Sequence, residues 1–230
     1  MYIVKQKPKT GVINDGGKNS NHNKLAKLFS DLQTSSIIIQ MLKISHRINS
    51  IEALQQVPTG YGVELDLRDQ AGELILQHDP FKQGESFEEY LKSYRHSLII
   101  LNLKAEGIEE RVLELVKKYQ VKDYFMLDLS LPFLVKHSNQ GLKDIAIRYS
   151  EYEPIELATK FIGKVDWVWL DCFNGYHLPD EDYEILREHF KLCMVSPELQ
   201  GFPIEMIAEF KNKLGSKTID AVCTKRPELW

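Results

Sequence analysis

The sequence predicts an α/β chain folded as a (β/α)8 barrel, and three observations carry that prediction. From residue 42 onward, short apolar runs alternate with segments of helical spacing. Eight of those runs have strand length, most of them followed by a helix candidate, which implies βαβ units and a parallel sheet. Polar residues collect at the C-terminal ends of the runs, the end at which barrels of this kind place their sites. A doubly wound open sheet is the structural alternative, but no G-x-G-x-x-G or Walker-type loop supports it.

In chain order, the strand candidates are "LKIS", "YGVELDL", "LIILNL", "YFMLDL", "DIAIRY", "DWVWLD", "KLCMVS" and "IDAVCT". Helical spacing marks "SFEEYLKSY", "GIEERVLELVKKY", "LPFLVKHS", "DEDYEILREHF" and "IEMIAEFKNKL" between them. Side chains alternate sides along a strand, so Glu64, Asp66 and Arg68 share one face of "GVELDLR" while Val63, Leu65 and Leu67 share the other. In "LIILNLK" the deep positions Leu98 and Ile100 are followed on their face by Asn102 and Lys104. Other runs end in His46-Arg47, Asp128, Arg148 and Asp171. Trp167 and Trp169 share a face and read as core, with a sugar platform as the alternative.

Residues 1–40 are a polar, basic N-terminal extension, and residues 41–230 form the barrel domain. The extension holds Lys5, Lys7, Lys9, Lys18, Lys24 and Lys27 against Asp15 and Asp31, a net +4 within a chain of −4. The body therefore carries −8, which argues against nucleic acid as a partner. Leu25, Leu28, Phe29 and Leu32 have the spacing of a short helix within the extension. No apolar run of about 18 residues predicts a membrane span, so no stable membrane insertion is expected. Three widely spaced cysteines without a C-x-x-C pair fit a reducing compartment, and the cytoplasm is the expected location.

Glu64 and Asp66 are the sharpest signal. Two carboxylates about 7 Å apart along one strand face repel each other in a dry site. Either one takes a proton, a basic side chain neutralises them, or a hard divalent cation sits between them. Asn102 offers a further oxygen from the next strand, which suits Mg²⁺ or Ca²⁺. The alternative is that Arg68 or Lys104 pairs with the carboxylates and no metal binds. His46 and His78 directly follow strand-like runs and fit general acid–base work near neutral pH.

The order H-R, E-x-D, H-D and then x-x-K resembles the glycerophosphodiester phosphodiesterase family, within the phospholipase-C-like phosphodiesterases. The resemblance is carried by "GVELDLRDQAGELILQHDP", by the strand ending at Lys104 and by the closing "IDAVCTKRPELW". It implies a (β/α)8 barrel in which His46 and His78 are the acid–base pair. Arg47 and Lys104 would bind phosphate, and Glu64, Asp66 and Asn102 would hold a divalent cation. The sequence departs from the family at Ile48, where Gly is usual, and Glu52 is a poor substitute for the expected Glu-Asn-Thr. It also departs at Asn102, where the family has the Glu of an E-x-K pair and the sphingomyelinase D enzymes have Asp. Asn keeps an oxygen but removes a charge, so cation binding is expected to be weaker.

The expected activity is metal-assisted hydrolysis or cyclising cleavage of a small phosphodiester of the glycerol- or sugar-phosphate type. A catalytically silent barrel that binds a phosphorylated ligand or partner is the alternative, and a membrane-facing phospholipase a third reading. Asp128, Arg148 and Asp171 are candidate substrate-pocket residues. Arg148 either reads a second anionic group or pairs with Glu151 or Asp171.

Overall fold

The computed structural model describes residues 41–230, so the expected helix over 25–33 and the basic extension lie outside the described residues. Residues 41–230 fall within one compact unit. The elements run β1 (Leu42–Ser45), α1 (Ile51–Gln56), β2 (Gly62–Gln70), β3 (Glu73–Leu76), β4 (Glu85–Ser86), α2 (Phe87–Ser93) and β5 (Ile99–Leu103). They continue with α3 (Glu109–Lys118), β6 (Tyr124–Leu127), α4 (Leu131–Asn139), β7 (Ala146–Tyr149), α5 (Ile155–Thr159) and β8 (Trp167–Leu170). The last are α6 (Asp180–His189), β9 (Lys191–Val195), α7 (Met206–Leu214) and β10 (Ala221–Thr224).

All eight predicted strands form, and all eight are parallel, in the spatial order β7-β8-β9-β10-β1-β2-β5-β6. Neighbours in space follow chain order, with β10 passing to β1. A doubly wound sheet would instead reverse its order at a switch point, so that alternative is overturned. The sheet curls, and its end strands meet at one parallel bridge, Met126 with Ile145. The Met126 N–H donates there to the Asp144 carbonyl at 2.8 Å. The second apolar run, "ELIL", forms β3, which folds back antiparallel on β2 through Leu67–Leu76 to Gln70–Glu73 and carries β4 on its other side. That hairpin brings the chain back so that Gln77 N–H donates to the Asp66 carbonyl at 3.0 Å.

Strand alternation divides the apolar residues into two layers. Val63, Leu65, Leu67, Ile99 and Leu101 face outward into the shell of helices, together with Val112, Leu186 and Phe210. Ile44, Ile100, Phe125, Trp167, Cys193 and Cys223 fill the interior of the curled sheet. Phe125 and Trp167 stack there with ring centroids 4.6 Å apart, as expected of core aromatics. Gly62 lies two residues before Glu64 on the inner face. A Cβ at Gly62 would lie 3.0 Å from both Ile44 and the Leu98 carbonyl, so the floor under the carboxylates is closed to any larger residue. The three cysteines are free and buried. Among the described residues, no helix is long and apolar enough to cross a membrane.

Candidate active site

Above that apolar floor the inner face turns polar at the strands' C-terminal ends. A cavity of about 610 Å³ opens there, lined by His46, Arg47, Asp66, His78, Asn102 and Lys104 on one side. Asp128, Arg148, Trp169, Asp171, Phe173 and Gln200 line the other side. Nine of the ten predicted site residues thus border one space, and Glu64 lies directly beneath it, joined to Arg47 and Asn102. Trp169 serves both core and cavity wall, so it combines the expected core role with the position that a platform would need.

Glu64 and Asp66 are 1% and 0% exposed. Their partners are mostly neutral. The Arg47 backbone N–H donates to Glu64 Oε2 at 2.7 Å, and Asn102 Nδ2 donates to Glu64 Oε1 at 2.8 Å. Asn49 Nδ2 donates to Asp66 Oδ2 at 2.8 Å, while Asn49 Oδ1 accepts the Asp66 N–H at 2.8 Å. The cations stand further off, Lys104 Nζ at 3.7 Å from Asp66 Oδ1 and Arg47 Nε at 3.8 Å from Asp66 Oδ2. Burial, reinforced by the Asp66 charge, pushes Glu64 up to about 7. His46 is pushed the other way, to about 3, by burial and then by Arg47, Lys225 and Lys104, so its ring is neutral at pH 7. His46 Nε2 lies 3.7 Å from Glu64 Oε2.

His78 sits differently. Its Nδ1 meets Asp79 Oδ1 at 2.9 Å, and that hydrogen bond, with Lys82 at 2.6 Å on the other oxygen, holds the Asp79 carboxyl down at about 2. The far wall is a chain of charge pairs. Lys104 Nζ donates to Asp128 Oδ2 at 2.8 Å, Arg148 Nε donates to Asp128 Oδ1 at 2.9 Å, and Arg148 Nη1 donates to Asp171. Gln200 Nε2 closes the chain on Asp171 Oδ1 at 2.7 Å. Arg47 and Asp128 adopt left-handed backbone conformations, with φ of 55° and 64°, which turn their side chains at the cavity rim.

Several expectations change. Arg68 does not pair with the carboxylates: its guanidinium donates to the carbonyls of His78 and Lys104. Arg148 joins Asp171 and also Asp128; Glu151 instead accepts the N–H groups of Phe173 and Asn174. Glu52 lies exposed in the first turn of α1, where a carboxylate complements the helix dipole. Ile48, at the position where glycine was expected, donates its N–H to the Glu64 carbonyl at 2.8 Å and packs on the outer core. The sequence pattern did not single out Tyr152 and Phe173, which line the cavity, or Asn49, which holds Asp66. Asn49 follows His46 by three residues, a spacing that was visible but had no strand to place it.

No cluster of three or more His, Cys, Asp or Glu suited to a metal occurs among the described residues; beside Glu64 and Asp66 stands an amide, Asn102. The donor set nonetheless fits a hard cation. Asp66 Oδ1 and Asn102 Oδ1 are both buried without a hydrogen-bond partner, beside two crowded carboxylates.

No protein-family model and no curated protein sequence matches the chain. Solved structures do. A glycerophosphodiester phosphodiesterase from Agrobacterium tumefaciens matches with a TM-score of 0.60 at 16% identity, over 82% of this chain and 99% of its own. A second protein of that organism, provisionally named glycerophosphoryl diester phosphodiesterase, matches with a TM-score of 0.62 at 13% identity, over 82% and 95%. A glycerophosphoryl diester phosphodiesterase from Parabacteroides distasonis matches with a TM-score of 0.56 at 14% identity, over 82% and 84%. Residues 41–230 of this chain have the fold of the glycerophosphoryl diester phosphodiesterases.

Proposed function

We propose that the chain is a phosphoric diester hydrolase acting on a small phosphodiester of the glycerol- or sugar-phosphate type, with its curled sheet closing as a (β/α)8 barrel. The observation that carries this reading is the meeting of His46, Arg47, Asp66, His78 and Lys104 in one cavity above the buried Glu64, on a fold shared with phosphodiesterases. His46, at the cavity wall with Nε2 3.7 Å from Glu64 Oε2, takes the proton from the attacking oxygen. His78, with Nδ1 committed to Asp79, has Nε2 free to give a proton to the leaving alcohol. Arg47 and Lys104 bind the phosphoryl oxygens, to which the Arg47 fork is suited by geometry. Glu64, Asp66 and Asn102 would hold Mg²⁺ or Ca²⁺, which when bound offsets the phosphate charge and polarises its P–O bonds. The proposed setting is the cytoplasm, where the three buried thiols stay reduced.

The second reading is a barrel that binds a phosphorylated ligand without turning it over. One observation favours it: Asn102 spends its amide N–H on Glu64, so the carboxylate pair is partly satisfied within the protein. Phosphorus NMR separates the two readings, using a panel of glycerol and sugar phosphodiesters with Mg²⁺ or Ca²⁺ and His46→Ala as control. A new monoester or cyclic phosphate signal that the control lacks is expected. No turnover, with selective broadening of one diester that the control loses, would establish the binding barrel instead.

A further inference from the structure

Arg68 lies on the inner-facing register of β2, two residues beyond Asp66, yet it is not among the residues that line the cavity. It is half-buried, and its donors point along the wall. Nε and Nη2 both donate to the His78 carbonyl, at 3.0 and 2.9 Å, and Nη1 donates to the Lys104 carbonyl at 2.6 Å. Those carbonyls belong to two segments that have just left the sheet. Leu76 is the last residue of β3 to pair with β2, and Leu103 is the last of β5. Beyond them the β2 backbone still accepts the Lys104 N–H at Leu67 O, at 2.8 Å, and the Gln77 N–H at Asp66 O, at 3.0 Å.

Past its last ladder hydrogen bond, a segment's backbone depends on such contacts to be fixed against the sheet. His78 hangs from one such segment and Lys104 from the other, whereas Glu64 and Asp66 are held rigidly within β2. The fork of a guanidinium reaches two carbonyls at once, which a lysine ammonium on a single flexible stem does less well. One strand therefore presents both the carboxylates and the clamp that sets the other two groups against them.

We infer that Arg68 is a positioning residue that fixes His78 and Lys104 relative to the β2 carboxylates by gripping their carbonyls. The inference rests on the phosphodiesterase reading for its kinetic consequence but not for its structural one. Misplacing a reacting group by about 1 Å costs up to roughly a hundredfold in rate. Arg68→Met keeps the side-chain volume and removes the donors. It is expected to lower kcat about tenfold or more, and to shift the His78 ring signals in proton–carbon NMR of the full chain. Arg68→Lys should recover part of both effects.

The deciding test is the cycle of Arg68→Met with His78→Ala. If Arg68 works through His78, its loss costs much less once His78 is gone. An equal cost in both backgrounds, or His78 signals unchanged in Arg68→Met, would overturn the inference. If Arg68→Met fails to fold in urea titration, the same ring signals are read in Arg68→Lys, where an unchanged spectrum has the same meaning. Should the wild type turn over no phosphodiester, the proposed activity falls and the His78 signals alone decide the clamp.

Discussion

The two walls of the cavity are built on opposite principles. On the far wall, Asp128, Arg148, Asp171 and Gln200 satisfy one another, with Lys104 reaching across from the near wall, in an unbroken chain over four strand ends and the loop after β9. On the near wall, three buried polar atoms have no partner: His46 Nδ1, Asp66 Oδ1 and Asn102 Oδ1. Buried groups left unpaired cost roughly 1–3 kcal/mol each, so the near wall is the side with most to gain from a ligand. The far wall supplies shape and a stiff boundary, with Trp169, Phe173 and Tyr152 as its apolar part. Both walls carry charge; they differ in how much hydrogen-bonding capacity is left unspent.

Removing either histidine should show the largest effect. His46→Ala or His78→Ala is expected to lower kcat by about 10²–10⁴-fold with the fold intact, the range for a positioned acid or base. Steady-state kinetics beside circular dichroism checks this, and near-wild-type rates would move the chemistry away from the near wall. Arg148→Met tests the opposite wall. It takes away the cation that Asp128 and the buried Asp171 share, leaving Asp128 only Lys104 and Asp171 only the neutral Gln200, and should destabilise the protein by about 3 kcal/mol, read as a lower urea midpoint. A loss of activity without a loss of stability would make Arg148 a substrate contact after all.

Asn102→Glu sharpens the contrast further by returning a charge to the near wall. Calorimetry should show divalent binding about tenfold tighter, a gain near 1.4 kcal/mol, and no change would place Asn102 outside the cation's reach. The smallest effect concerns pH. His46 is held at about 3, below its ordinary value of 6.5, so the unfolded chain binds its proton more readily than the folded one. Its contribution to stability is therefore present above about 6.5 and is lost as pH falls toward about 3. The His46 ring followed by NMR should stay neutral down to pH 5; protonation near 6.5 would mean that the ring is solvated.

Strand alternation made much of this protein legible without coordinates. The eight parallel strands and the inward direction of Glu64, Asp66, Asn102, Arg148 and Asp171 follow from a local rule, that side chains two apart share a face. Being local, the rule survives folding unchanged. The partners each side chain takes were decided only in three dimensions. Arg68 has the register of a carboxylate partner, yet it turns to two carbonyls supplied by a hairpin and by the next strand. Asn49 reaches Asp66 only because β1 lies beside β2, and Arg148 is claimed by two carboxylates from flanking strand ends. Such choices depend on which donors and acceptors remain unspent once distant segments meet, and one-dimensional spacing does not encode that inventory.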